Sequence, residues 1–86
     1  MDSKAVSFVL RSKNRKKILE ILTKQEKTPS QLVKDTNMYP THIHRTIREL
    51  KSNSLITATN PSDKVYTFYK TTKKGKNILK EANKIK

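Results

Sequence analysis

Apolar residues recur along this chain with a helical period up to about residue 55, and then the pattern changes. Val6, Val9 and Leu10, with Phe8 alongside, mark a short first helix. Ser12 is placed to cap a second, SKNRKKILEILTKQ, in which Ile18, Leu19 and Leu22 share one face and Ile21 lies beside them. Thr28-Pro29-Ser30-Gln31 opens a third helix. Thr28 serves as the cap, Pro29 suits the first helical position, and Gln31 stands where a capping-box partner belongs. Leu32 and Val33 of QLVKDT turn inward, Asn37 offers a left-handed residue to end the helix, and Met38 returns to the core.

Pro40 then opens PTHIHRTIREL. Ile43, Ile47 and Leu50 form its apolar stripe at i, i+4 and i+7. At about 100° per residue the opposite face is centred on Thr41, Arg45, Arg48 and Ser52, with His42 and Glu49 flanking one side and His44 the other. One face packs, and the other is free for a partner. After Leu55, LITAT and VYTFYK are β-branched and aromatic runs separated by the turn residues NPSDK, which predicts a hairpin with Pro61 in its turn. A last helix begins near Thr72 and presents Ile78, Leu79, Ala82 and Ile85. There is no internal repeat. The pattern predicts one mainly helical α+β domain over residues 1–86, with three to four helices, a two-stranded hairpin and a C-terminal helix.

Composition limits what such a domain does. In 86 residues, a third of them hydrophobic and none of them Trp, the core is modest and a deep substrate pocket is not expected. A carboxylate pair, a Ser-His-Asp grouping and a Gly-rich phosphate loop are all missing, so the expectation is a binding module and not an enzyme. The lack of cysteine removes disulfides and thiolate metal sites. On a helix His42 and His44 point about 200° apart and cannot share an ion, so no metal and no cofactor are expected. Nor is a small-molecule ligand. The chain has no apolar run long enough to span a membrane and no convincing signal peptide, so a cytoplasmic protein is expected.

Charge is the strongest compositional signal. Twenty Lys and Arg against seven Asp and Glu give a formal net charge of +13 and a pI near 10.2. Clustered cations at such a pI are the electrostatic footprint of nucleic-acid binding. Arg11, Lys13, Arg15, Lys16 and Lys17 crowd the start of the second helix, where they oppose its macrodipole. Local stability does not explain them; an anionic partner does. Of the four Arg, two lie on the fourth helix, whereas the sixteen Lys are spread along the chain.

The order of elements, and three segments in particular, resemble the winged helix-turn-helix transcriptional regulators, including the MarR-like and related archaeal families. TPSQLVKDTNMYPTHIHRTIRELKSNSLI is similar to their helix-turn-helix. YKTTKKGKNIL is similar to their Y-x-L-T-x-x-G segment, and SKNRKKILEIL to their opening helix. The likeness runs from about Arg11 to Leu79. Three positions depart from the pattern. Tyr39 replaces a capping Ser or Thr, Thr71 replaces a Leu, and Ser54 replaces a Gly, which makes Asn53 the expected turning residue.

The resemblance implies a double-stranded DNA partner, with the recognition helix 40–52 in the major groove and the wing 56–70 on the flanking backbone. Thr41, His42, His44 and Arg45 are then the base-reading candidates, Arg45 foremost because its fork matches guanine O6 and N7. Ser30, Gln31, Arg48, Lys51, Asn60, Ser62 and Lys64 are the candidates for the backbone. A homodimer is expected, through Val6, Val9 and Leu10, through Ile78, Leu79, Ala82 and Ile85, or through both. The resulting reading is a nucleoid-associated transcriptional regulator acting by occupancy, with repression its simplest form. An architectural DNA binder with little sequence preference and a protein or RNA adaptor remain as alternatives.

Overall fold

Three neutral hydroxyls set where the helices begin. The computed structural model describes residues 3–60 and 67–85. After α1 (Ser3–Leu10), the Ser12 Oγ accepts from the Arg15 N–H and starts α2 (Lys13–Lys24). Thr28 and Gln31 form the expected reciprocal capping box at α3 (Pro29–Thr36), which ends on Asn37 in the left-handed region at φ 59°. Thr72 caps α5 (Lys73–Lys84) through the Gly75 N–H. α4 (Pro40–Ser52) is the exception, because Tyr39 gives it no side-chain cap.

The core is a single cluster centred on α2. Ile18, Leu19 and Leu22 are buried against α1, α4, α5 and the sheet, and Leu32, Ile43, Leu50, Leu55 and Ile56 complete the interior. Strands β1 (Ile56–Ala58) and β2 (Tyr69–Thr71) pair antiparallel with Ile56 opposite Thr71 and Ala58 opposite Tyr69. β2 therefore reaches one residue past the predicted run, and residues 65–66 lie outside the described part. Lys27, just before α3, adds a third lane that the sequence did not announce. Its N–H donates to the Tyr69 carbonyl at 3.1 Å and its carbonyl accepts from the Tyr69 N–H at 2.9 Å. Thr71, the departure from the usual Leu, is buried with its hydroxyl donating to the Leu19 carbonyl at 3.1 Å. That bond removes the cost of a buried polar group.

The structure corrects three expectations. Asn53 does not turn the chain: it keeps φ −96°, and Ser54 takes the left-handed conformation at φ 61°. Asn53 is occupied instead in closing α4, its side-chain amide donating to the Glu49 carbonyl at 2.9 Å. Ile85 is not on the apolar face of the last helix, since α5 ends at Lys84 and Ile85 is half exposed. Finally, Val6, Val9, Ile78, Leu79 and Ala82 are not a free surface between copies. α1 and α5 pack on each other within one chain and bury all five, leaving Leu10 and Ile85 as the exposed apolar residues of that set.

Two backbone positions give opposite predictions. A Cβ on Gly75, the single glycine, would collide with the Leu55 carbonyl oxygen and stand 2.6 Å from Thr71 Cγ2. Gly75→Ala is expected to lower stability by about 2–3 kcal/mol, read as a lower urea midpoint. Ser54→Gly is expected to raise it by about 0.5–1 kcal/mol, because only the side chain is strained in the left-handed region.

Candidate nucleic-acid interface

α4 is amphipathic in the strict sense: Ile43, Thr46, Ile47 and Leu50 are buried, and Thr41, Arg45, Arg48 and Ser52 are exposed on the other side. Burial of the stripe against α2, α3 and β1 fixes the rotation of the helix, and that rotation turns the cationic face to solvent. Among the described residues the side chains of Arg45 and Arg48 make no hydrogen bond and no ion pair. Lys51 is exposed beside them.

The first turn of α4 carries three further features. His42 is half-buried and meets Tyr39 edge-on, with ring centroids 5.9 Å apart. Tyr39 is itself 75% exposed, the most exposed large hydrophobic side chain among the described residues. It offers an aromatic surface at the N-terminal tip of α4. His44 faces the other way and lines an open cleft of about 490 Å³ with Thr28, Pro29, Ser30, Val33, Pro40, Thr67 and Tyr69. The cleft brings Ser30 and His44 together. It is built by the consecutive helices α3 and α4, with Thr67 and Tyr69 closing it from a segment far along the chain that no local pattern brings there.

The remaining backbone candidates divide by how much of each side chain is already engaged. Ser30 is exposed. Gln31 spends its Oε1 on the Thr28 N–H at 2.9 Å, which leaves its amide NH₂ for a partner. Asn60 Oδ1 accepts from the Phe68 N–H at 2.7 Å and ties the base of the wing, so it has a structural task there. Ser62 and Lys64 lie outside the described residues.

Arg15 is the residue the sequence misassigned. Grouped by sequence with the cations awaiting an anionic partner, it has an internal one. Its Nε and Nη2 donate to Glu49 Oε1 and Oε2 at 3.3 and 3.0 Å, Nη1 donates to the Phe8 carbonyl at 2.9 Å, and the guanidinium lies 3.9 Å from the centre of the Phe8 ring. One side chain thus joins α1, α2 and α4. The hydrogen bonds from Arg15 hold the Glu49 carboxyl below its usual range, against a smaller opposing effect of burial, and the Arg45 charge adds to the lowering. The pair joins residues 34 apart in the sequence, and nothing local announces it.

The profile of the family described as HVO_A0261 N-terminal domain matches residues 3–86. No curated protein matches the chain. Among solved structures, the adhesin competence repressor AdcR from Streptococcus pyogenes is similar at 23% identity and a TM-score of 0.74, covering 85% of this chain and 55% of that one. ZitR from Lactococcus lactis, in complex with DNA, gives 20% and 0.71 over 81% of this chain and 49% of that one. A cysteine-to-serine mutant of MarR from E. coli, complexed with operator DNA, gives 21% and 0.76 over 95% and 60%. The fold is therefore the winged helix of these regulators, and the chain spans about half to three-fifths of their length.

A depressed carboxyl pKa fixes the sign of a pH effect. The Arg15–Glu49 pairing contributes stability that is fully present above the ordinary carboxylate range and is lost as pH falls through the depressed value. Urea unfolding of the wild-type chain and Glu49→Gln is expected to show a wild-type margin at about pH 7 that shrinks towards about pH 3.

Proposed function

The chain belongs to the HVO_A0261 N-terminal domain family, and from that footing we propose that it is a sequence-reading, double-stranded DNA-binding transcriptional regulator. The observation that carries this reading is α4. Its apolar stripe is fully committed to the core, while an unpaired Arg45 and Arg48 and an exposed Thr41 stand on the free side. The net charge of +13 supports the same partner.

In the proposed mechanism α4 enters the major groove by its N-terminal half. Arg45 pairs with a guanine edge, Thr41 meets a thymine methyl, and His42 and His44 contact base edges on either flank. Arg48, Lys51, Ser30 and the free amide of Gln31 grip phosphates, and the wing lies along the adjoining backbone through Asn60, Ser62 and Lys64. Repression follows from occupancy of a promoter. A homodimer supplies the second half-site, since one module of this size reads too short a sequence for useful discrimination. The exposed Leu10 and Ile85 border a shallow groove of about 270 Å³ with Ser3, Val6, Ser7 and Arg11, and this end of the α1–α5 pair is the proposed seat of the second copy. The protein then works in the cytoplasm, on the nucleoid.

The test is selection of bound duplexes from a random library at near-physiological salt, with wild type and Arg45→Ala in parallel. Wild type is expected to recover a recurrent, two-fold motif. Arg45→Ala is expected to lose about 1–3 kcal/mol of discrimination at one base pair per half-site. Recovered DNA indistinguishable from the input sinks the sequence-reading proposal. It leaves the architectural binder, which the excess of sixteen Lys over four Arg favours.

A further inference from the structure

We infer that Arg15 is a positioning residue for DNA reading: by occupying both carboxylate oxygens of Glu49 it keeps that acid from capturing Arg45, and so leaves the Arg45 fork free for a base edge. The inference rests on the reading of α4 given above and deepens it.

Glu49 is the single acid on the recognition helix. It stands four residues after Arg45, and side chains at that spacing are neighbours on a helix surface and attract when oppositely charged. An Arg45–Glu49 pair is therefore the default outcome of the local sequence. In the structure it does not form. Both Glu49 oxygens belong to Arg15, at 3.3 and 3.0 Å, and Arg45 stays exposed without an ion pair.

Arg15 wins because it is anchored on three sides. Nη1 is held by the Phe8 carbonyl at 2.9 Å, the guanidinium carbon lies over the Phe8 ring 3.9 Å from its centre, and the residue's own N–H is fixed by the Ser12 cap at 3.2 Å. A planar fork held in place loses little freedom on binding a carboxylate, whereas Arg45 would have to order a long exposed side chain to do the same. A lysine at position 15 has no fork with which to reproduce the hold.

A second consequence concerns phosphate. Glu49 flanks the free face of α4, on the side of His42, where a negative charge works against approach to the duplex backbone. Arg15 neutralises that charge without itself occupying the free face. One residue of α2 thereby removes both liabilities that Glu49 brings to the recognition helix.

The experiment compares wild type, Arg15→Gln, Glu49→Gln, the double variant and Arg45→Ala. Affinity is measured by fluorescence anisotropy on the selected duplex and on the same duplex altered at the base pair that Arg45→Ala identifies. Thermal melting by circular dichroism reports the folded fraction of each. Arg15→Gln is expected to bind about two- to threefold more weakly and to lose part of its discrimination at that base pair, the most that an exposed i,i+4 ion pair can withhold from Arg45. Glu49→Gln alone is expected to bind at least as tightly as wild type. The double variant is expected to regain affinity and discrimination, because the captor of Arg45 is gone. Arg15→Gln and the double variant both lack the α2–α4 tie, so a merely structural Arg15 predicts that both bind poorly.

A folded Arg15→Gln that binds and discriminates like wild type overturns the inference, as does a double variant as weak as Arg15→Gln. If wild type itself ignores sequence and Arg45→Ala changes nothing, the reading of α4 falls and takes this inference with it. Wild-type discrimination alongside an unaltered Arg15→Gln fails this inference alone.

Discussion

α1, α4, α5 and β2 all fold onto α2, and α3 and β1 join them through α4. Ile18 and Leu19 are fully buried and Leu22 nearly so, and α1, α4, α5 and the sheet all close around them. Burying such a side chain contributes about 1.5–3 kcal/mol, while a domain's whole margin of stability is about 5–15 kcal/mol. Three residues on one short helix therefore carry a large share of what holds an 86-residue chain together. Their dominance also explains the polar ties at the two ends of α2. Arg15 at its start reaches α1 and α4. Near its end Leu19 offers a carbonyl, and Thr23 a hydroxyl 3.0 Å away, to the buried Thr71 of β2. Apolar contact sets which elements meet, and these directional bonds set how each one is turned.

The legible part of the structure is the part that local rules govern. Ser12, Thr28 and Thr72 cap as their positions predict, Asn37 ends α3, and the stripe of α4 is buried as its spacing requires. A competition between neighbours was less legible. Asn53 and Ser54 both offered a turn, and intrinsic preference for the left-handed region favours Asn. The structure uses Ser54, because the Asn53 amide is more useful closing the last turn of α4. Contacts between distant segments were not legible at all. The Lys27–Tyr69 lane, the approach of Tyr69 to the cleft between α3 and α4, and the Arg15–Glu49 pair each join residues with no shared local pattern. The same blindness led the faces of α1 and α5 to be read as an interface between copies, when they cover each other within one chain.

The distribution of charge runs against the needs of the helices themselves. None of the five has an acid in its first turn, although an acid there complements the macrodipole. α2 and α5 instead begin with Lys13, Arg15 and Lys16, and with Lys73, Lys74 and Lys76. The caps are uncharged hydroxyls. Hydroxyls satisfy the orphan N–H groups without lowering the positive potential of the surface, so the fold keeps its capping while the molecule keeps its field. Lysine provides most of that field. Arginine, by contrast, appears where geometry matters: Arg15 locks three helices, and Arg45 and Arg48 stand on the free face of α4.

Glu49 is where the demands of packing and of charge meet on one residue. An acid on a helix whose free side carries Arg45 and Arg48 tends to pair with them, yet the flank of that helix docks on α2 beside the half-buried Arg15 guanidinium. A carboxylate is the group that satisfies a guanidinium from two oxygens at once. Removing it would leave Arg15 partly buried with only the Phe8 carbonyl and ring, an arrangement that costs desolvation without a countercharge. The acid is therefore kept and covered. Its place on the helix, off the centre of the free face by one flank, lets Arg15 reach it from below while Arg45 remains in solvent. The same bond that orients α4 on the core thus sets which of its cations are left unpaired, and packing and electrostatics on this helix are one constraint.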